Sequence, residues 1–171
     1  GTAMAHYEPD MKVINLTRKN GVGTLAHEWA AKVLTGKASR KELQDKCEPE
    51  MAGHVLAYVA VVEEVSLSSR IELAVPLCYL PAERGTIDAV SYAQDDANLI
   101  LVVTDLKYGV NVSVEAVGNV QLAIYAESIL RAEGDLPDES KIKLRIFQPR
   151  DRHNPEPLRV WELTRGELRE F

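Results

Sequence analysis

A mixed α/β fold, a sheet flanked by helices, follows from three features of the sequence. Apolar residues recur at helical spacing before residue 65. The period shortens to two between Ile71 and Leu106, where acids interrupt apolar strands. Helical spacing then returns, followed by two further strands. The 171 residues suit one compact domain, and the expected division is 6–171 for that domain. Residues 1–5, Gly1-Thr2-Ala3-Met4-Ala5, read as a remnant of cloning.

Taken in order, Thr24 is a candidate cap for a helix to about Thr35, with Leu25, Trp29, Ala30, Val33 and Leu34 as its apolar face and Gly36 as its stop. The charged segment 37–48 reads as loop or short helix. Pro49 suits a first helical turn, and Met51, Val55, Tyr58, Val59 and Val62 continue at helical spacing. Ile71, Leu73 and Val75 alternate with Glu72 and Ala74 as a strand. Pro81 to Gly85 reads as a turn, with a second strand over 86–91. The polar tip Gln94 to Asn98 leads into Leu99–Leu106, whose nearly continuous apolar run suits a central buried strand. After Gly109 a helix is expected with Val117, Val120, Ile124 and Ile129 on one side. Strands are expected at 141–148 and 158–163, separated by a loop with three prolines. Thr164 and Glu167 fit a capping box on a last short helix.

Composition sets limits. An apolar share of 46% is ordinary for a globular domain, and no apolar run approaches the roughly 20 residues that span a bilayer. The expectation is a cytoplasmic protein with no membrane association, in which Cys47 and Cys78 are reduced thiols. Twenty basic residues against 26 acidic ones give a net charge of −6, which argues against tight non-specific duplex binding.

The candidate chemistry lies in Gly85-Thr86-Ile87-Asp88 and Thr104-Asp105-Leu106-Lys107. Each places an acid in or at the end of an apolar strand, where an unpaired charge is costly. Asp105 and Lys107 are two apart and share a strand face. If the two strands are neighbours, Asp88 meets Asp105 there. Converging carboxylates suit a hard divalent cation, Mg²⁺ or Mn²⁺, and an adjacent lysine suits stabilisation of a phosphoryl transition state. Alone, D-x-K reads more readily as a strand-end ion pair, with Asp88 a turn residue.

The surrounding motifs shift that balance. Gly85-Thr86-Ile87-Asp88, then Asp105-Leu106-Lys107-Tyr108-Gly109, then Asn119-x-Gln121-Leu122-x-x-Tyr125-Ala126 resembles the RecB-type branch of the PD-(D/E)XK nucleases. Upstream, Gly23-Thr24-Leu25-Ala26-His27-Glu28 resembles that family's histidine motif. Downstream, Ile146-Phe147-Gln148-Pro149-Arg150 resembles a stretch of phage-encoded members. The resemblance runs in family order from about residue 21 to residue 163.

The resemblance implies a restriction-endonuclease-like fold and a metal-dependent DNA nuclease, an exonuclease of phage-type recombination, repair or replication. It implies His27, Asp88, Asp105 and the Leu106 carbonyl as metal ligands, and Asp88, Asp105, Lys107, Gln121 and Tyr125 as the catalytic set. Glu72 reads as an accessory acid or a solvent-facing strand residue, and Glu28 as pointing elsewhere. Two cysteines cannot supply the four-cysteine iron–sulfur site of some relatives, so no cluster is expected. The family often has Glu where Asp105 stands. Relatives also carry more sequence before the histidine motif, so a wall of the DNA groove is expected to be missing or supplied by another subunit. The implied partner is DNA, as ends or single strands, with a homo-oligomer or other recombination proteins as further possibilities. A catalytically inactive DNA-binding or assembly protein is the alternative, and a host-interaction protein with an acidic surface is a third reading.

Overall fold

The computed structural model describes residues 21–65 and 69–171; the expected cloning remnant at residues 1–5 lies outside them. Ten elements follow in order: α1 (Val22–Leu34), α2 (Arg40–Lys46), α3 (Pro49–Val65), β1 (Ser69–Leu77), β2 (Leu80–Asp95), β3 (Asn98–Leu106), α4 (Val120–Glu133), β4 (Lys141–Phe147), β5 (Leu158–Thr164) and α5 (Arg165–Glu170). The five strands form one sheet in sequence order. Neighbouring strands are antiparallel except β3 and β4, which run parallel. A parallel pair needs a long crossover, and α4 supplies it.

Two cores lie on opposite faces of this mixed sheet. Ile87, Leu101, Val103, Leu144 and Ile146 pack with Leu122, Ala126 and Ile129 of α4. Leu106 and Phe147 pack with Ala26 of α1, Leu43 of α2 and Val55 and Tyr58 of α3. Residues 100–106 of β3 are all buried, as the apolar run predicts for a strand covered on both faces. Among the described residues no helix is long and apolar enough to cross a membrane.

Several expectations need correction. The cap of α1 is Gly21, without a side-chain bond, and Thr24 lies inside the helix with its hydroxyl buried and unbonded among the described residues. Leu25 is exposed, because the buried face of α1 runs through Ala26, His27, Ala30 and Val33. Residues 37–48 do contain a short helix, α2, whose cap Ser39 accepts from the Glu42 N–H at 3.0 Å. The Pro81–Gly85 turn is absent: those residues belong to β2, and the chain reverses at Cys78 and Tyr79. Helix α4 begins only at Val120, where the Asn119 side chain accepts from the Leu122 N–H. Val117 therefore lies outside the helix, exposed. The capping box of Thr164 and Glu167 is present.

Candidate active site

Strands β2 and β3 pair from Asp95↔Asn98 to Ala89↔Thr104. One step beyond that last pair, the same register sets Asp88 opposite Asp105. The strands part here, and the ladder bond is replaced: the Leu106 N–H donates to Asp88 Oδ2 at 2.8 Å. Both acids are buried, with 4% and 3% of their surface exposed.

His27 reaches the same point from α1. Its Nδ1 donates to the Gly23 carbonyl at 2.7 Å, one helical turn back. That bond directs Nε2 at two oxygens, the Leu106 carbonyl at 2.8 Å and Asp88 Oδ2 at 3.2 Å. A ring nitrogen aimed at two acceptors is satisfied by a proton or by a cation shared among the three atoms. An imidazole whose other nitrogen donates to a main-chain carbonyl is the usual arrangement of a metal-ligating histidine. The spacing fits as well. Adjacent ligands of an octahedral Mg²⁺ at 2.0–2.1 Å lie about 3.0 Å apart, between the two distances found.

Among the described residues no group of three or more His, Cys, Asp or Glu side chains is placed to hold a metal ion by itself. The potential donors that face one another are the His27 imidazole, the Asp88 carboxylate and the Leu106 carbonyl, a set that would leave positions for water, as Mg²⁺ prefers. A cavity of about 10 Å³, room for about one water-sized particle, touches His27, Asp88, Leu106 and Glu72.

Asp105 lies on the α4 side of β3, the side of Leu101 and Val103. Lys107 Nζ stands 2.8 Å from its Oδ2. The ammonium also donates to Gln121 Oε1 at 3.1 Å, and Gln121 Nε2 donates to the Tyr125 hydroxyl at 3.2 Å. The one-turn spacing of Gln121 and Tyr125 on α4 makes that bond possible. Tyr125 is buried in the α4 core rather than turned outward, and its hydroxyl reaches Gln121. Gly85 makes room for it. A Cβ there would stand 3.0 Å from the Tyr125 ring and 2.8 Å from Leu77 Cδ2, so the first residue of the Gly-Thr-Ile-Asp motif has a steric reason.

Burial pushes the Asp105 carboxyl above the ordinary carboxylate range; Lys107 opposes the shift and Asp88 adds to it. A raised folded-state pKa means the fold is favoured by protonation. That contribution is complete below about pH 3.9, the unfolded value, and is lost as pH rises through the folded value. In EDTA at pH 7, Asp105→Asn is therefore expected to melt above wild type, with the gap closing towards pH 4. Thermal melts at the two pH values check this, and equal midpoints at pH 7 would contradict it.

Glu72 occupies a strained position. Its φ is 51°, left-handed for a residue with a side chain, at a cost of about 1–2 kcal/mol. The packing shows what the strain accompanies. Ile71 and Ala89 are register partners that pack towards α1 and α3, whereas Leu73 and Ile87 are partners that pack towards α4. The alternation of faces slips at Glu72 and Asp88. Glu72 is exposed at the edge of the cavity, and a larger hollow of about 300 Å³ joins it to Glu28, Lys32 and Lys37.

The structure adds a layer that sequence reading did not assign. Gln148 is 1% exposed, and its side-chain amide bonds mainly to the loop after Lys107. Its Nε2 donates to the Gly109 and Val112 carbonyls at 3.1 and 2.9 Å. Its Oε1 accepts from the Val114 N–H at 2.8 Å and from Arg159 Nη1 at 2.7 Å. Arg159 also donates to the Val114 carbonyl and, through Nη2, to Asp151. Burial alone would push the Asp151 carboxyl up, but bonds from Ser113, the His153 N–H and Arg159 hold it down at about 2. A polar residue closing an apolar strand just before a proline was the available signal for Gln148.

A solved structure described as the crystal structure of SSO0001 is similar over 89% of this chain and 85% of its own, at 11% identity and a TM-score of 0.30, too low to establish a shared fold. Residues 11–171 match the family model described as "Protein of unknown function (DUF2800)", and the chain belongs to that family.

Proposed function

We propose that this protein is a metal-dependent DNA nuclease with a PD-(D/E)XK-type site, hydrolysing phosphodiester bonds with Mg²⁺ or Mn²⁺ held by His27, Asp88, Asp105 and the Leu106 carbonyl. The observation that carries the reading is continuity. Gly85, Tyr125, Gln121, Lys107, Asp105, Asp88 and His27 come from α1, β2, the end of β3 and α4, yet each touches the next or interacts with it electrostatically. An ordinary strand-end ion pair of Asp105 and Lys107 needs none of the other five.

When bound, the cation supplies positive charge that acidifies a water and offsets the charge of a phosphoryl oxygen. The remaining work belongs to the chain. Nδ1 of His27 is fixed as a donor by Gly23, which keeps Nε2 facing the site. Asp88 is held by the Leu106 N–H, so its carboxylate is oriented before any ligand arrives. Lys107 is suspended between Asp105 and Gln121, and Tyr125 orients Gln121. An ammonium so placed can orient the attacking water and stabilise charge developing on phosphorus. An exonuclease acting on ends in recombination or repair is the favoured form of this activity.

The test is incubation of the protein with labelled single- and double-stranded DNA in Mg²⁺, Mn²⁺ or EDTA. Cleavage is expected with either metal and none in EDTA. Calorimetry should show Mn²⁺ binding that disappears in an Asp88→Ala, Asp105→Ala double variant; retained binding would remove these acids from the site. If wild type cleaves no DNA form with either metal, a non-catalytic DNA-binding protein replaces the nuclease.

A further inference from the structure

The loop that packs beyond Lys107 carries two arginines, Arg150 and Arg152, on a chain of net charge −6. Other arginines of the chain are matched to acids: Arg40 to Glu63, Arg70 to Glu133, Arg159 to Asp151 and Arg165 to Glu127 and Asp135. Arg150 and Arg152 make no ion-pair contact among the described residues, although the Arg150 charge is felt at the Glu48 carboxylate. Both sit on the proline-rich loop that packs against the segment following the D-x-K motif. The Arg150 guanidinium lies 4.7 Å from the centre of the Tyr108 ring, one residue past Lys107. Its one hydrogen bond is long, from Nη1 to the Tyr108 carbonyl at 3.4 Å. Arg152 anchors through its main chain, whose N–H donates to the Val110 carbonyl at 3.2 Å, and its side chain is exposed.

Two of the acids nearby are already engaged; Glu50, whose charge also reaches Tyr108, is exposed. Asp151, between the two arginines, is turned inward onto Arg159. Glu48 spends its carboxylate on capping α3, accepting from the Glu50 and Met51 N–H groups. The stack on Tyr108 fixes one guanidinium plane while leaving most of its five N–H donors unused. His54 steadies the ring from behind through its Nδ1 contact with the Tyr108 hydroxyl at 2.9 Å. Two arginines, separated by one residue on a turning loop, thus lie beyond Lys107 with guanidinium donors left for a ligand.

We propose that Arg150 and Arg152 form a phosphate clamp that takes the backbone of a DNA strand as it leaves Lys107 across Tyr108. This rests on the nuclease reading and specifies how the strand lies: its phosphates follow the 149–154 loop, away from Gln121. The clamp reconciles a net charge of −6 with a polyanionic substrate, because the attraction is local.

The experiment measures binding of fluorescein-labelled oligothymidylate in EDTA, where cleavage cannot interfere, between about 50 and 200 mM salt. Each phosphate of a single strand that the protein no longer neutralises lowers the slope of log affinity against log salt by about 0.7. The Arg150→Gln, Arg152→Gln double variant is expected to lose about 1.4 of slope, and Arg150→Lys to keep the wild-type slope. Arg40→Gln, which removes the same charge from a distant paired site, should leave the slope unchanged. An unaltered slope in the double variant, an equal loss in Arg40→Gln, or no binding by wild type would each overturn the clamp. The nuclease reading fails separately: slopes as expected without cleavage leave the clamp standing alone, and cleavage with unaltered slopes leaves the nuclease without it.

Discussion

Lys107→Ala is expected to cut single-turnover DNA cleavage by at least about a hundredfold while leaving Mn²⁺ affinity and DNA binding nearly unchanged. An ammonium has donors and no lone pair, so it cannot be a metal ligand. The interactions proposed for it arise with the attacking water and with charge on phosphorus, features of the transition state. Losing one such stabiliser costs about 2.7–4 kcal/mol of barrier. The geometry sharpens this expectation, because Lys107 is the link between Asp105 and Gln121. Gln121→Ala should show a smaller loss of the same kind, since the ammonium keeps Asp105. Asp105→Ala should lose metal binding and cleavage together. Wild-type cleavage by Lys107→Ala would remove the D-x-K motif from the chemistry and leave it as an ion pair.

Gln148→Ala should be among the most destabilising single substitutions, by about 3 kcal/mol or more. The change leaves the Gly109 and Val112 carbonyls, the Val114 N–H and one Arg159 donor without the partner they have now. Each buried group left unsatisfied costs about 1–3 kcal/mol, and water entering the gap offsets part of the sum. For a domain of this size a loss of 3 kcal/mol is a fall of about 6–12 °C in the thermal midpoint. Val117→Ala, on the exposed part of the same loop, should change it little. A midpoint in Gln148→Ala within about 2 °C of wild type would mean that the loop is held by other contacts.

The residues most legible in the sequence were those inside periodic elements. Asp88, Asp105, Gln121 and Tyr125 occupy strands and a helix whose spacing fixes their faces, Lys107 follows β3 directly, and the structure brings them together with His27. What the sequence misplaced was decided by distant contacts. The reversal at Cys78 and Tyr79 carries no turn chemistry. It is held by α4, where the Ser128 hydroxyl accepts from the Cys78 N–H at 2.9 Å. Pro81 and Gly85, which look like turn residues, lie in β2, and Gly85 is there to admit a ring. The segment 109–119 resembled a helix approach but is loop, because residues 148 and 159 hold it from far along the chain. Thr24 illustrates a local failure: a good capping residue lost to a helix that starts two residues earlier.

The donors of the candidate site arrive from opposite sides of the sheet. His27 travels with the α1–α3 layer, while Asp105 and Lys107 are tied to α4, and Asp88 stands where the two packings exchange. An ion bound among them is consequently a rivet through the laminate. It would resist sliding of one helical layer against the other. On the proposed reading, metal would add a tie between two cores that otherwise share only the sheet.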